Sequence, residues 1–291
     1  MKLLITGANG QLGSEIRAVV SDYKIADIVF KDLPELDISN FVALKNFIIE
    51  NKITAVINCA AFTAVDKAEE TPEISKKVNT EGVANLVKVL QSVEGKLIHI
   101  STDYVFDGNH FMPYKESDLV SPVGVYAESK MKGELEIFNS TIDAIVIRTS
   151  WLYSSFGNNF VKTMLRLGKE KETLGVVFDQ VGSPTYARGL AKTCLEILCG
   201  KDSAKISKKG KLYHYSDEGV ASWYDFAIAI MELGILDCKV NPIQTKEFPT
   251  LAKRPHYSVL NKTKIKRDFN IEIPYWRDAL SDCILTLKNT L

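Results

Sequence analysis

Charge of one sign is missing from this chain: 36 Lys and Arg stand against 36 Asp and Glu in 291 residues, a formal net charge of +0 at pH 7. A balanced surface lacks the long-range field that gathers a polyanion, which argues against nucleic acid and against an anionic membrane as partners. No apolar run approaches the roughly 18 residues that cross a bilayer, and Met1-Lys2-Leu3-Leu4-Ile5-Thr6 enters a glycine turn before a signal-peptide core develops. A cytoplasmic location is expected. Cysteine is scarce and unpatterned: Cys59, Cys194, Cys199, Cys238 and Cys283 are odd in number, contain no C-x-x-C and lie in apolar stretches. Reduced core thiols are expected, not disulfides or zinc ligands. His99, His110, His214 and His256 show no ligand spacing, so no metal is expected, and His99 inside a β run reads as a satisfied core histidine. Internal repeats and low-complexity tracts are also missing.

What is present is an ordinary globular composition, 46% hydrophobic and 25% charged, at a length that suggests about two domains. Short β-type runs (Lys2-Thr6, Ile28-Lys31, Ala55-Asn58, Leu97-Ser101, Ala144-Arg148) alternate with amphipathic segments (Leu12-Val20, Phe41-Glu50, Glu81-Leu90, Glu128-Phe138). That rhythm predicts an α/β fold, a Rossmann-type doubly wound parallel sheet with helices on both faces. Beyond Ser150 the rhythm loosens. Helices are expected over Asn159-Lys171, Tyr186-Leu198, Trp223-Leu233 and Trp276-Leu287, with short strands at Val176-Phe178 and Leu212-Tyr215. A dinucleotide-binding domain over 1–150, rejoined by about 172–200, and a smaller, mainly substrate-binding α/β lobe over 151–291 follow. The lysine-rich 201–211 stretch has no apolar period and no interleaved aromatic residue, and reads as a solvated loop.

Gly7-Ala8-Asn9-Gly10-Gln11-Leu12-Gly13 joins the first strand directly to the first helix. Glycines at that turn allow a tight bend, close backbone approach to a pyrophosphate and tight helix packing, while the helix N-terminus offers free N–H groups. Gly7, Gly10, Gln11, Leu12 and Gly13 are therefore cofactor candidates; the alternative is a compact turn without ligand. Asp32, just past the second strand, stands where an acid reaches a ribose hydroxyl and favours NAD(H), whereas its neighbour Lys31 suits a 2′-phosphate. It is otherwise an ordinary turn acid. Asp37 and Ile38 are candidates for the adenine, although Asp37 competes with Ser39 and Asn40 for a place near a helix cap. Ala60 and Ala61, after Asn58-Cys59, have side chains small enough for a cofactor to lie against the backbone.

Tyr126 and Lys130, four apart at the start of a helical segment, project from one face. A free tyrosine titrates near pH ~10, so its phenolate costs about 4 kcal/mol at neutral pH, and a nearby ammonium lowers that cost. A plain surface pair is the alternative. Leu97-Ile98-His99-Ile100-Ser101-Thr102-Asp103 ends an apolar strand in hydroxyls and a carboxylate. Ligands bind outside the carboxyl ends of such strands, which puts Thr102 where it can orient a substrate carbonyl.

With these motifs, and with Thr63-Ala64-Val65-Asp66-Lys67-Ala68-Glu69, Arg148-Thr149-Ser150-Trp151, Gly157-Asn158-Asn159-Phe160, Asp179-Gln180, Gly182-Ser183-Pro184-Thr185 and Arg254-Pro255, the chain resembles the extended short-chain dehydrogenase/reductases. Within them it is most similar to the dTDP-4-dehydrorhamnose reductases, over nearly its whole length. The resemblance implies NADPH or NADH as cofactor, a dTDP-sugar as substrate, and reduction of its C4 ketone for cell-surface polysaccharide. It implies Tyr126 as proton donor, Lys130 as the residue that lowers the phenol pKa and binds the nicotinamide ribose, Thr102 as partner of the reacting oxygen, and Thr102, Asp103, Tyr126 and Trp151 at the sugar. Trp151 is otherwise a core tryptophan. It leaves room for a homodimer, but Arg188 is a poor metal ligand where some members are thought to hold magnesium. Arg254 suits a diphosphate or a plain surface. Two other readings stay open: an epimerase or dehydratase that retains NAD, and a non-catalytic regulatory protein on the same scaffold.

Overall fold

The computed structural model describes the chain apart from residues 26, 202, 204, 205, 207–209 and 291; most of the expected 201–211 loop thus lies outside the described residues. The first part runs β1 (Lys2–Thr6), α1 (Gln11–Val19), β2 (Asp27–Lys31), α2 (Phe41–Glu50), β3 (Ala55–Asn58), α3 (Val65–Glu70), α4 (Pro72–Lys76), α5 (Gly82–Ser92), β4 (Lys96–Thr102), α6 (Val125–Phe138) and β5 (Asp143–Thr149). It continues through β6 (Leu152–Tyr153), α7 (Phe160–Glu170), β7 (Thr173–Val177), β8 (Val181–Gly182), β9 (Thr185–Tyr186), α8 (Ala187–Cys199), β10 (Lys211–His214) and β11 (Ala221–Ser222). The last elements are α9 (Trp223–Gly234), β12 (Lys239–Ile243), α10 (Thr263–Phe269) and α11 (Trp276–Thr290).

Six parallel strands form the main sheet in the order β10-β5-β4-β3-β1-β2. The apolar runs of the four inner strands β1, β3, β4 and β5 are buried on both faces, as a helix-covered parallel sheet requires, whereas the edge strands β2 and β10 are only partly covered. Leu3, Ile5, Ile57, Ile98, Ile145 and Ile147 pack on one side with α1 and α8. Leu4, Val56, Leu97, Ala144 and Val146 pack on the other with Leu44 and Ile48 of α2, Leu86 and Leu90 of α5 and Ile137 of α6. The alternation is the strand period of two written into the sequence, and each fully buried Leu or Ile contributes about 1.5–3 kcal/mol. The doubly wound sheet expected from the sequence is thus present. Its strand order reverses between β1 and β3, which opens a crevice at their carboxyl ends.

A second core gathers α7, α9 and α11 around Phe226, Ile230, Leu280 and Cys283, with Val176 of β7 and Val240 of β12. The later chain returns to the first core further along than expected. β7 pairs with β12 on the second core, whereas α8, β10 and Ile265, Phe269 and Ile271 join the first. Five-residue β7 is too short to carry a period that says which core it serves. The thiols also differ in one respect: all five cysteines are free, and Cys194, Cys238 and Cys283 are buried, but Cys199 at the end of α8 is exposed. Asn40, not Asp37, caps α2, its side chain accepting from the Ala43 amide at 3.1 Å.

Candidate active site

The glycine turn is shaped by contact with the neighbouring strand end. Gly7 has φ +62°, and a Cβ there would lie 2.5 Å from the Ala60 nitrogen; a Cβ on Gly13 would lie 2.6 Å from the Ala8 Cα. Only glycine fits either place. Gly10 caps α1 without a side-chain hydrogen bond, and no acid occupies the first turn. Gly10, Gln11 and Leu12 line a cavity of about 570 Å³, so the uncapped, partly positive end of α1 opens into it. That end fits the pyrophosphate of a dinucleotide.

The same cavity is lined by Ala61, Thr102, Asp103, Tyr126, Lys130 and Trp151. Thr102 ends β4; its hydroxyl donates to Asp103 Oδ1 at 3.0 Å and accepts from the Tyr104 amide at 3.2 Å. Tyr126, one residue into α6, meets the Tyr104 ring edge-on at 5.6 Å between centroids. The start of α6 is fixed by the Val125 amide donating to Glu69 at 2.8 Å and by Asn79, which donates to Ser129 Oγ at 3.0 Å. One turn further along, Glu134 and Arg148 of β5 form a buried two-pronged ion pair at 2.8 and 2.6 Å.

Burial sets the electrostatics. The Tyr126 phenol is pushed up from its ordinary value chiefly by burial, with the Thr102 hydrogen bond opposing and Asp103 and Tyr104 adding to the rise. Lys130, whose ammonium is turned to Ile100 and His99, is not among the groups that act on the phenol, so the lowering expected from it is absent and the phenol stays protonated at neutral pH. Lys130 points its ammonium at the Ile100 carbonyl (2.6 Å) and at His99 Nε2 (3.4 Å). Burial depresses it to about 8 against the pull of Glu134 and Cys59. Asp103 is raised to about 7, again by burial, although Thr102 and nearby amides favour its charge.

Five candidates lie outside the lining. Gly13 and Ala60 sit behind the turn, the Ala60 amide donating to Asn58 Oδ1 at 3.2 Å. Asp32 braces the turn, accepting from the Asn9 amide at 2.8 Å and the Leu33 amide at 2.7 Å. Asp37 accepts from the amide and hydroxyl of Ser39 at 2.8 and 2.7 Å, and Ile38 is buried at 3% exposure. Lys31, next to Asp32, pairs with Glu35 at 3.7 Å. Arg254 is neither a free surface residue nor a lining one: it binds Asp66 at 2.7 Å and the Tyr104 hydroxyl at 3.1 Å. Arg188 pairs with the buried Glu15 at 2.9 Å.

Other lining residues carried no assigned role in the sequence reading: Tyr104, Asn158, Asn159, Phe160, Trp223 and Phe226. Tyr104 directly follows Thr102 and Asp103, a signal that was readable. Trp223 had none. It stacks on Trp151 at 3.6 Å between centroids, and Trp151 itself stands at φ +47°. Trp151 thus lines the cavity and packs at once, since the stacked pair ties β6's approach to the first turn of α9.

A family model described as RmlD substrate binding domain matches residues 1–289. The chain is 41% identical over 287 residues to a dTDP-4-dehydrorhamnose reductase of Aggregatibacter actinomycetemcomitans, covering 97% of each chain. Its structure is similar to that of a dTDP-4-dehydrorhamnose reductase from Clostridium acetobutylicum, with TM-score 0.93, 42% identity and coverage of 99% of this chain and 100% of the other. It is also similar to the Bacillus anthracis dTDP-4-dehydrorhamnose reductase solved in complex with NADP, with TM-score 0.90, 35% identity and coverage of 98% and 100%.

Proposed function

From the premise that this chain belongs to the RmlD family of dTDP-4-dehydrorhamnose reductases, we propose that it reduces the C4 ketone of dTDP-4-dehydro-L-rhamnose to dTDP-L-rhamnose with NADPH or NADH. The observation that carries this reading is the lining of one cavity by the open end of α1 and by Thr102, Tyr126 and Lys130. The bound dihydronicotinamide supplies the hydride. When the sugar binds, the Thr102 hydroxyl turns its hydrogen from Asp103 to the ketone oxygen and orients it, and the Tyr126 phenol gives that oxygen a proton as charge develops on it. A phenol kept neutral by burial is the form this direction of reaction needs. Lys130 holds the nicotinamide ribose through the ammonium protons that Ile100 leaves free. Asp103 and Trp151 receive the sugar, the carboxyl at its hydroxyls and the indole at its apolar face.

Gly7, Gly10, Gln11 and Leu12 form the pyrophosphate seat in this reading, with Ala61 beneath the dinucleotide and Gly13 and Ala60 keeping the turn tight behind it. Asp32, Asp37 and Ile38 serve the adenosine end. The Asp32 oxygens already accept amide hydrogens, and Lys31 beside them suits a 2′-phosphate, so both NADPH and NADH are accepted. The lobes follow the two cores, 1–150 with the returning α8, β10 and α10, and the remainder of 151–291 around α7, α9 and α11. Among the described residues no helix is long and apolar enough to cross a membrane. A cytoplasmic homodimer completes the reading, and fractionation and light scattering test it.

The deciding assay follows nicotinamide absorbance with dTDP-4-dehydro-L-rhamnose added. Oxidation of NADPH or NADH only when the sugar is present supports the reductase. Sugar turnover with tightly held NAD and no net oxidation replaces it with an epimerase or dehydratase; no turnover of any kind leaves the regulatory protein.

A further inference from the structure

Thr6, Asn58 and His99 stand side by side across β1, β3 and β4, at 2%, 1% and 0% exposure, and the last of them reaches Lys130. The polarity of this row is fixed by a backbone group. Asn58 Oδ1 lies 3.2 Å from the Ala60 amide, which can only donate, and accepts from the Thr6 hydroxyl at 2.6 Å as well. The amide nitrogen of Asn58 therefore faces His99 Nδ1, at 3.0 Å. Nδ1 must accept, so the proton of the neutral imidazole sits on Nε2. His99 stays neutral, because burial and the Lys130 charge push it well below its ordinary value. Its Nε2–H points at Lys130 Nζ over 3.4 Å. Two donors then face each other while the amine is charged, and a hydrogen bond forms when it is neutral.

We propose that Asn58 and His99 are positioning residues for Lys130: by pinning His99 as the Nε2–H tautomer they set a donor against the amine and weaken its hold on its proton. This rests on Lys130 acting in the proposed reductase site. The row ends at Thr6, whose hydroxyl hydrogen is spent on Asn58, so it leads no proton to solvent and works only through polarity. Burial acts on Lys130 in the same direction, while Glu134 and Cys59 oppose it, leaving it at about 8. The amine then exchanges its proton near pH 8, and ribose binding becomes pH dependent.

NMR of the full chain, labelled in histidine nitrogens and lysine Cε and assigned with His99→Gln and Lys130→Arg, reads the device without any substrate. The wild type is expected to show the Nε2–H tautomer at His99; the Nδ1–H tautomer overturns the proposal, whether or not any variant folds. Asn58→Asp places an acceptor against Nδ1, so His99 should switch tautomer and the Lys130 midpoint should rise by about one unit or more, together with the alkaline limb of kcat/KM. A switched tautomer with an unmoved midpoint refutes the coupling, and an unswitched one refutes the orienting role of Asn58. In a His99→Phe background the same change adds the charge without the imidazole and should raise Lys130 less; equal rises reduce the effect to charge and overturn the proposal. Failure of the reductase reading shows separately, as absence of sugar-dependent oxidation.

Discussion

Replacing Tyr126 by Phe removes one oxygen and leaves its surroundings in place. The ring is 9% exposed and packs edge-on against Tyr104, contacts that phenylalanine keeps. The Thr102 hydroxyl retains Asp103 and the Tyr104 amide as partners, so no buried donor is orphaned and stability should change by less than about 1 kcal/mol. Turnover is another matter. In the proposed reaction the phenol is the proton source for the developing alkoxide, and a positioned general acid is worth roughly 10²–10⁴-fold, or about 3–5 kcal/mol of barrier at 1.36 kcal/mol per tenfold. Sugar-dependent oxidation of NADPH should therefore fall by that factor. The dissociation constant of NADPH, read from quenching of tryptophan fluorescence, should stay close to that of the wild type, because the lost group meets substrate and not ribose. A kcat within about tenfold of wild type would refute the assignment of Tyr126 as proton donor. A matching loss of cofactor affinity would show instead that the hydroxyl acts by binding.

Lys130→Ala should impair both turnover and cofactor affinity; unchanged affinity in the fluorescence titration removes the ribose contact. Asp103 ionises near 3.8 when unfolded and about 7 when folded, so between these values the folded state holds a proton the unfolded state has lost. Asp103 should lower stability by at most about 1.4 kcal/mol per pH unit as pH rises through that window, and Asp103→Asn, followed by urea unfolding at pH 5 and pH 8, should remove that share of the fall and leave the share of Asp217, which burial raises to about 8. Glu134→Gln leaves the buried Arg148 charge without its anion and should cost about 3–5 kcal/mol in the same assay; a loss below about 1 kcal/mol would contradict the buried pairing.

The sheet was legible because its strands carry their burial locally: Leu3-Leu4-Ile5 and Ala55-Val56-Ile57 are apolar on both faces, and glycine, turn and helix follow in a fixed order. Small elements escaped. β6, β8, β9 and β11 have two residues each, too few for any periodicity, and β12 contains Pro242, which argues against a strand until its partner β7 is seen. In the site, Tyr126 and Lys130 were readable as a pair from spacing, Thr102 from its place at the end of an apolar strand, and Asp32 as an acid of the turn. Its engagement with the Asn9 amide was not, since spacing gives reach and not direction. Arg254 illustrates the same gap: its Asp66 and Tyr104 partners lie far away in sequence.

By itself the sequence determined the chemical inventory and its placement along the strands and helices: a glycine turn at the start of α1, hydroxyls at the end of β4, a phenol and an amine one helical turn apart on α6. Those features depend on neighbours within a few residues, where backbone geometry leaves little choice. The tertiary structure decided which groups are dry and whom they face. Burial raised Tyr126 where a local rule lowers it, Trp223 came to lie on Trp151, and the row from Thr6 to His99 turned one imidazole hydrogen toward Lys130. Desolvation and long-range hydrogen bonding are properties of the assembled chain, since each requires surfaces that meet only after the sheet and its helices have closed.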